Sequence, residues 1–147
     1  MTLALHAYAL GHRTTVWVPQ KKEYQELSTT RLNSWCLPDH HIPEGIVLSD
    51  NLEECCRDME CLILAIPSHA VRSVMERALS AVSRGTVLIS AVKGIEVGTL
   101  QRMSEILDEL FAADHPIMVL SGPSFAVEVA RGDPTAIVLA CREAAVG

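Results

Sequence analysis

Cys61-Leu62-Ile63-Leu64-Ala65-Ile66 runs into Pro67-Ser68-His69. A stretch to Val82 then carries Val71, Val74, Met75, Leu79 and Val82 at three- and four-residue steps, and Thr86-Val87-Leu88-Ile89-Ser90 follows. The first and last runs are nearly continuous in Val, Ile and Leu rather than alternating, which is the pattern of strands covered on both faces. The segment between them has one apolar stripe at helical spacing. Strand, crossover helix and strand make a βαβ unit, and that unit decides the fold class: α/β, with parallel strands and helices on both faces.

The same grammar extends in both directions. Thr14–Val18, Ile46–Leu48, Ile117–Ser121 and Ala136–Ala140 read as further strands. Leu100, Met103, Ile106, Leu107, Leu110 and Phe111 form a second helical stripe. Asp50 followed by Glu53 reads as a capping box for a short helix. The sum is a doubly wound, mostly parallel sheet in one domain of 147 residues.

Composition excludes several classes. With 49% apolar and 20% charged residues the chain is not disordered. A net charge of −6 opposes general binding to nucleic acid or to an anionic membrane surface. The strongest apolar run, Leu62–Ile66, is far short of the ~20 residues of a membrane span. Met1–Leu10 lacks the basic leader and cleavage site of a signal peptide. Five cysteines, two of them adjacent and none in a C-x-x-C pair, argue against a disulfide framework or a zinc site. Reduced thiols and a cytoplasmic location are expected, with no metal.

Met1–Leu10 reads as an uncapped helix ended by Gly11, so the chain starts on a helix where a doubly wound sheet starts on a strand and a glycine-rich turn. That strand belongs in the middle of the sheet. The expectation is therefore a fragment, residues 1–147 being a partial N-terminal cofactor-binding domain without its first strand and glycine turn.

In an open α/β sheet ligands bind beyond the carboxyl ends of the strands. This rule selects Val18–Lys22, Ile66–His69, Ala91–Glu96 and Ser121–Ala126. Lys93 can carry an ammonium into such a cleft, or be a solvated loop lysine. Gly122 lets backbone approach a ligand, Pro123 fixes the turn, and Ser124 is placed to cap the next helix, as in any capped βα turn. Pro67 and Ser68 repeat that arrangement, with His69 read as an exposed first-turn residue. Pro19-Gln20-Lys21-Lys22 offers no acid for a ribose hydroxyl; its lysines suit a 2′-phosphate or simply begin a solvated helix. His40-His41, in a Pro-flanked loop, lacks the partners a metal needs.

At these residues the sequence resembles the bacterial NAD(P)-dependent glycerol-3-phosphate dehydrogenases. The likeness is carried by Gly11-His12 leading to Val16-Trp17, Leu37-Pro38, Ile66-Pro67-Ser68-His69, Lys93-Gly94-Ile95-Glu96, and Ser121 through Gly132 with Pro134-Thr135. It covers the whole chain but only the family's N-terminal, Rossmann-like cofactor domain. The resemblance implies hydride transfer between NAD or NADP and sn-glycerol 3-phosphate or dihydroxyacetone phosphate, feeding glycerophospholipid synthesis. It implies that Lys93 meets both cofactor and substrate as the catalytic cation, that Gly122 and Ser124 bind substrate, and that Ala126 binds cofactor. A homodimer is one arrangement open to the full-length protein.

The sequence also departs from the family. The G-x-G-x-x-G turn is missing, Met1 falling just after its last glycine, and so is the helical C-terminal domain with its catalytic lysine. Pro19 replaces a polar or basic residue, and Val92 a threonine. No turnover is expected of the chain alone. Two other readings remain: a ketopantoate- or β-hydroxyacid-type reductase, which the Ser121–Gly132 block disfavours, and a non-catalytic binding module.

Overall fold

The computed structural model describes residues 1–34, 36–111 and 114–142. In chain order the elements are α1 Thr2–Ala9, β1 Thr15–Trp17, α2 Lys21–Thr30, β2 Leu32–Asn33, β3 Leu37–His41, β4 Val47–Ser49, α3 Leu52–Cys56, β5 Cys61–Leu64, α4 Val71–Ala78, β6 Val87–Ser90, α5 Met103–Phe111, β7 Ile117–Ser121, α6 Ala126–Arg131 and β8 Val138–Cys141. A 3-10 turn, Ser68–Ala70, leads into α4. The chain divides into two compact units, residues 1–55 with 123–136, and residues 56–122 with 137–147.

In the first unit β1 pairs parallel with β4, Val16 opposite Leu48. Its core is Val18, Leu27, Ile42, Ile46 and Leu48, with Met1, Leu5, Val16 and Tyr24 packed against it. The opening helix has no side-chain cap, as its sequence implied. The chain leaves α2 at Arg31, which is left-handed at φ 54. Arg31 holds that exit by donating Nη1 to the Ile46 carbonyl at 3.0 Å and pairing with Glu44 at 3.3 Å.

Two local expectations fail here. His40-His41, read as part of a Pro-flanked loop, closes the strand Leu37–His41, which pairs antiparallel with β2. Its residues are poor strand formers, and the Asn33 side chain, accepting from the Cys36 amide at 3.0 Å, supplies the turn that pairs them. The cap of α3 is Asn51, not Asp50: its Oδ1 accepts from the Glu53 and Glu54 amides at 3.0 and 3.3 Å.

In the second unit the strand order is β5-β6-β7-β8, the first three parallel and β8 antiparallel to β7. Helices α4 and α5 pack on each other, and α5 also packs on β6 and β7. Val71, Met75 and Ala78 from α4, and Met103, Ile106, Leu107 and Phe111 from α5, are buried with Leu64, Leu88 and Met118. Both helices are shorter than their stripes implied. Helix α4 stops at Ala78, so Leu79 turns outward at 43% exposure. Leu100 lies outside α5, left-handed at φ 60 and exposed.

Cover on both faces of every strand is not observed in the described residues. Leu62, Leu64, Leu88 and Ser90 share one face by register and are buried or half-buried. Cys61 and Ile63 point the other way and are exposed, as are Val138 and Leu139 of β8.

Candidate functional site

Because β5, β6 and β7 are parallel neighbours, their carboxyl ends bring three selected segments to one edge of the second unit. These are Pro67–His69 after β5, Ala91–Glu96 after β6, and Gly122 after β7. Backbone pairing runs past the end of β6, the Ala91 amide donating to the Leu64 carbonyl at 2.9 Å. Lys93 is exposed, and its Nζ donates to the Gly122 carbonyl at 3.2 Å. An ammonium has three donors. One is directed to Gly122, so the cation is anchored at the strand ends and can still donate outward.

Backbone conformation shapes this edge. Gly94 adopts φ +113 and Gly122 φ +148, values that side-chain-bearing residues rarely reach. A Cβ on Gly94 would come within 3.3 Å of Ser68 Oγ, so the segments after β5 and β6 lie close together there. Ser68 therefore sits inside the 3-10 turn facing Gly94. The position expected of it, N-cap, belongs to Pro67. His69 is exposed. Ser90, the last residue of β6, is 1% exposed and its hydroxyl makes no hydrogen bond among the described residues.

The segment after Lys93 is closed by ionic contacts that the sequence reading did not single out. Glu96 takes Arg72 Nε at 2.9 Å and Nη2 at 3.2 Å, and also accepts from the Thr99 hydroxyl. Arg72 bonds Glu109 of α5 as well, at 3.0 and 3.2 Å. The guanidinium holds the Glu96 carboxyl below the usual carboxylate range, with help from Thr99. Glu109 is lowered by Arg72 and then by Gln101. Arg72 itself is pushed up by Glu96 first and Glu109 second. An arginine beside a helical apolar stripe looks like any solvated charge. Its partners stand 24 and 37 residues away, a spacing no local pattern encodes.

Ser124 and Ala126 fall in the first unit. Ala126 is the first residue of α6 and is exposed. Ser124 lies in the turn before α6. The N-cap position, expected at Ser124, belongs to Phe125. Lys21 and Lys22 open α2 as exposed residues. The structure thus brings Lys93 together with Gly122 and groups Ser124 with Ala126.

Comparison with known proteins adds the family. The profile described as NAD-dependent glycerol-3-phosphate dehydrogenase N-terminus matches residues 1–146. A glycerol-3-phosphate dehydrogenase, NAD(P)+, of Thermoanaerobacter sp. strain X514 is 41% identical over 138 residues, which is 94% of this chain and 41% of that protein. Its counterpart from Fusobacterium nucleatum is 38% identical over 140 residues, 95% of this chain and 42% of that one. Among solved structures, glycerol-3-phosphate dehydrogenase from Coxiella burnetii superposes with a TM-score of 0.90 at 26% identity, covering 98% of this chain and 44% of that one. The chain spans about two fifths of the length of these relatives. Over that span its parallel strands, crossover helices and sequence agree with one family, and the chain belongs to it: the N-terminal, NAD-dependent domain of the glycerol-3-phosphate dehydrogenases.

Proposed function

We propose that the chain is the cofactor-binding part of a cytoplasmic oxidoreductase that moves hydride between NAD(P)(H) and sn-glycerol 3-phosphate or dihydroxyacetone phosphate. The observation that carries this reading is the Lys93 ammonium held at the Gly122 carbonyl, 3.2 Å away, at the carboxyl ends of neighbouring parallel strands. Family membership names the substrate pair. The unbridged thiols of Cys36, Cys55, Cys61 and Cys141 agree with a reducing compartment. No helix among the described residues is long and apolar enough to cross a membrane.

The residues present fit the nicotinamide end of such a cofactor. Gly94 and Gly122 carry no Cβ, which leaves backbone open beside Lys93, and the ammonium supplies a donor and a positive charge. When bound, the nicotinamide supplies the hydride acceptor or donor. Lys93 would help hold it, and would also hold the substrate's C2 oxygen, stabilising the negative charge that develops there as the carbonyl is reduced. Gly122 contributes the carbonyl that orients Lys93. By the family resemblance Ser124 is assigned to substrate and Ala126 to cofactor.

Saturation-transfer NMR on millimolar NADH and NADPH with the 147-residue chain tests this. The nicotinamide protons should receive saturation, and Lys93→Met should weaken that signal while leaving the adenine signal in place. Absence of transfer to the nicotinamide overturns the reading. Turnover of dihydroxyacetone phosphate by this chain alone is not expected, since it spans about two fifths of its relatives. NADH oxidation by the purified chain would show otherwise.

A further inference from the structure

Within the second unit, one guanidinium joins α4, the segment after Lys93 and α5. Arg72 grips both oxygens of Glu96, both oxygens of Glu109, and Gln101 Oε1 at 2.6 Å. The segment it grips is itself closed. Ile95 bridges Arg102, the Glu96 amide donates to the Gln101 carbonyl at 2.9 Å, and the Leu100 amide donates to the Glu96 carbonyl at 3.1 Å. Lys93 stands three residues before Glu96, with Gly94 at φ +113 between them. A bidentate arginine fixes a carboxylate in orientation as well as position, which a point charge cannot do.

The two arms of this clamp differ. The Glu96 side chain is 14% exposed and Glu109 is 52% exposed. Water and salt screen the second pair more, so the Glu96 arm is the stronger constraint. That arm ends on the segment carrying Lys93. The Glu109 arm ties helix to helix, and reaches that segment only through the Gln101 side chain, whose Nε2 donates to Glu109 at 3.4 Å, at its far end from Lys93.

We propose that Arg72 is the positioning residue for Lys93: by clamping Glu96 it holds the ammonium at the Gly122 carbonyl. This deepens the reading above, on which that ammonium is the working group of the site. Arg72 touches neither substrate nor cofactor in this account and acts only through the loop it grips.

The chain offers a convenient probe, because its three lysines are Lys21, Lys22 and Lys93. Limiting acetic anhydride followed by peptide mass mapping gives the Lys93 acylation rate against Lys21 and Lys22 as internal standards. Arg72→Met and Glu96→Gln should each raise that ratio about fivefold, the effect of losing one charge-assisted constraint on a local opening. Hydrogen exchange should speed up at the Glu96 and Leu100 amides. Glu109→Gln should leave the ratio within about twofold, and Arg72→Lys should fall in between, since a lysine restores charge without the fork.

A purely structural arginine would lower the melting temperature without moving the Lys93 ratio, and that result overturns the proposal. So does a Glu109→Gln effect as large as that of Glu96→Gln. If Arg72→Met fails to fold, the Glu96→Gln and Glu109→Gln pair decides the matter alone. No cofactor enters this measurement. Failure of the nicotinamide test therefore leaves the clamp standing, and failure of the clamp leaves the nicotinamide reading standing.

Discussion

Gly94→Ala is the most informative single change at the strand ends, because its cost divides into terms the structure separates. The first is backbone strain. At φ +113 an alanine sits in a region nearly reserved for glycine, which costs about 1–3 kcal/mol. The second is crowding: the new Cβ would lie 3.3 Å from Ser68 Oγ and 3.6 Å from Ser68 Cβ. A hydroxyl at the end of a short side chain can give way by a few tenths of an ångström, at roughly 0.5–1 kcal/mol for a small rotamer distortion. Against both stands the reduced freedom of the unfolded chain, worth about 0.4–1 kcal/mol in the variant's favour. The net expectation is about 2 kcal/mol of destabilisation, dominated by φ. Gly98 provides the control. It adopts φ +102 in the same segment, with no atom of the described residues within 4 Å of an added Cβ. Gly98→Ala should therefore cost nearly as much as Gly94→Ala, and Ser68→Ala should not rescue Gly94→Ala. Urea unfolding at constant m is the assay. Both tryptophans, Trp17 and Trp35, lie in the N-terminal 55 residues, so the second unit must be followed by circular dichroism or hydrogen exchange rather than by tryptophan fluorescence. An unchanged midpoint for Gly94→Ala, or full rescue by Ser68→Ala, would refute the argument that conformation rather than space requires glycine beside Lys93.

Three further outcomes follow from the same structure. Asn51→Ala should cost about 1 kcal/mol, because its side chain accepts two amides at the start of α3, while Asp50→Ala should cost little; tryptophan fluorescence in urea separates them. Ile106→Ala, at a fully buried position on α5, should cost about 2–5 kcal/mol in the circular dichroism transition of the second unit. Arg72 lowers Glu96 and Glu109, and Arg102 lowers Glu105, so all three carboxyls bind protons less readily folded than unfolded. Their contribution is complete above the ordinary carboxylate value and is lost as pH falls through and below it. The urea midpoint should drop on acidification below about pH 4.5, and the Glu96→Gln, Glu109→Gln double variant should show a flatter decline.

The parts of the fold legible in the sequence are those where one residue type repeats at one period. All six expected strands exist, shifted by no more than two residues at either end, because short aliphatic and β-branched runs such as Leu62–Leu64 and Val87–Ile89, bounded by turn residues, favour a strand over a helix. Helix ends were harder. Leu79 and Leu100 fit the stripes perfectly and belong to neither helix, since a period says which residues face inward while the chain remains helical, and says nothing of where it stops. The β2–β3 pair was invisible for a different reason. Pro38 and Asp39 argue against a strand, and the turn that forms it depends on one hydrogen bond donated by the Cys36 amide to the Asn33 side chain.

The candidate site divides along the same line. Parallel strands put their carboxyl ends on one edge, so topology alone selected Lys93 and Gly122 before any contact was known, and the two meet at 3.2 Å. What topology cannot select is the residue that holds such a group still. Arg72 sits on a helix, one residue past a buried valine, where a charged side chain is ordinary. Its significance comes from three partners that converge only after α4, the Lys93 segment and α5 have packed. The exposed cation at a strand end is thus written in the order of strands, whereas its orientation is written in a tertiary ion cluster. Lys93 is exposed, and among the described residues its ammonium is held by the Gly122 carbonyl alone, so unsupported it would sample many rotamers. The physical demand for Arg72 follows from that flexibility: a long, exposed side chain is precise only if the backbone beneath it is fixed, and Glu96 is where a guanidinium grips the segment that follows Lys93.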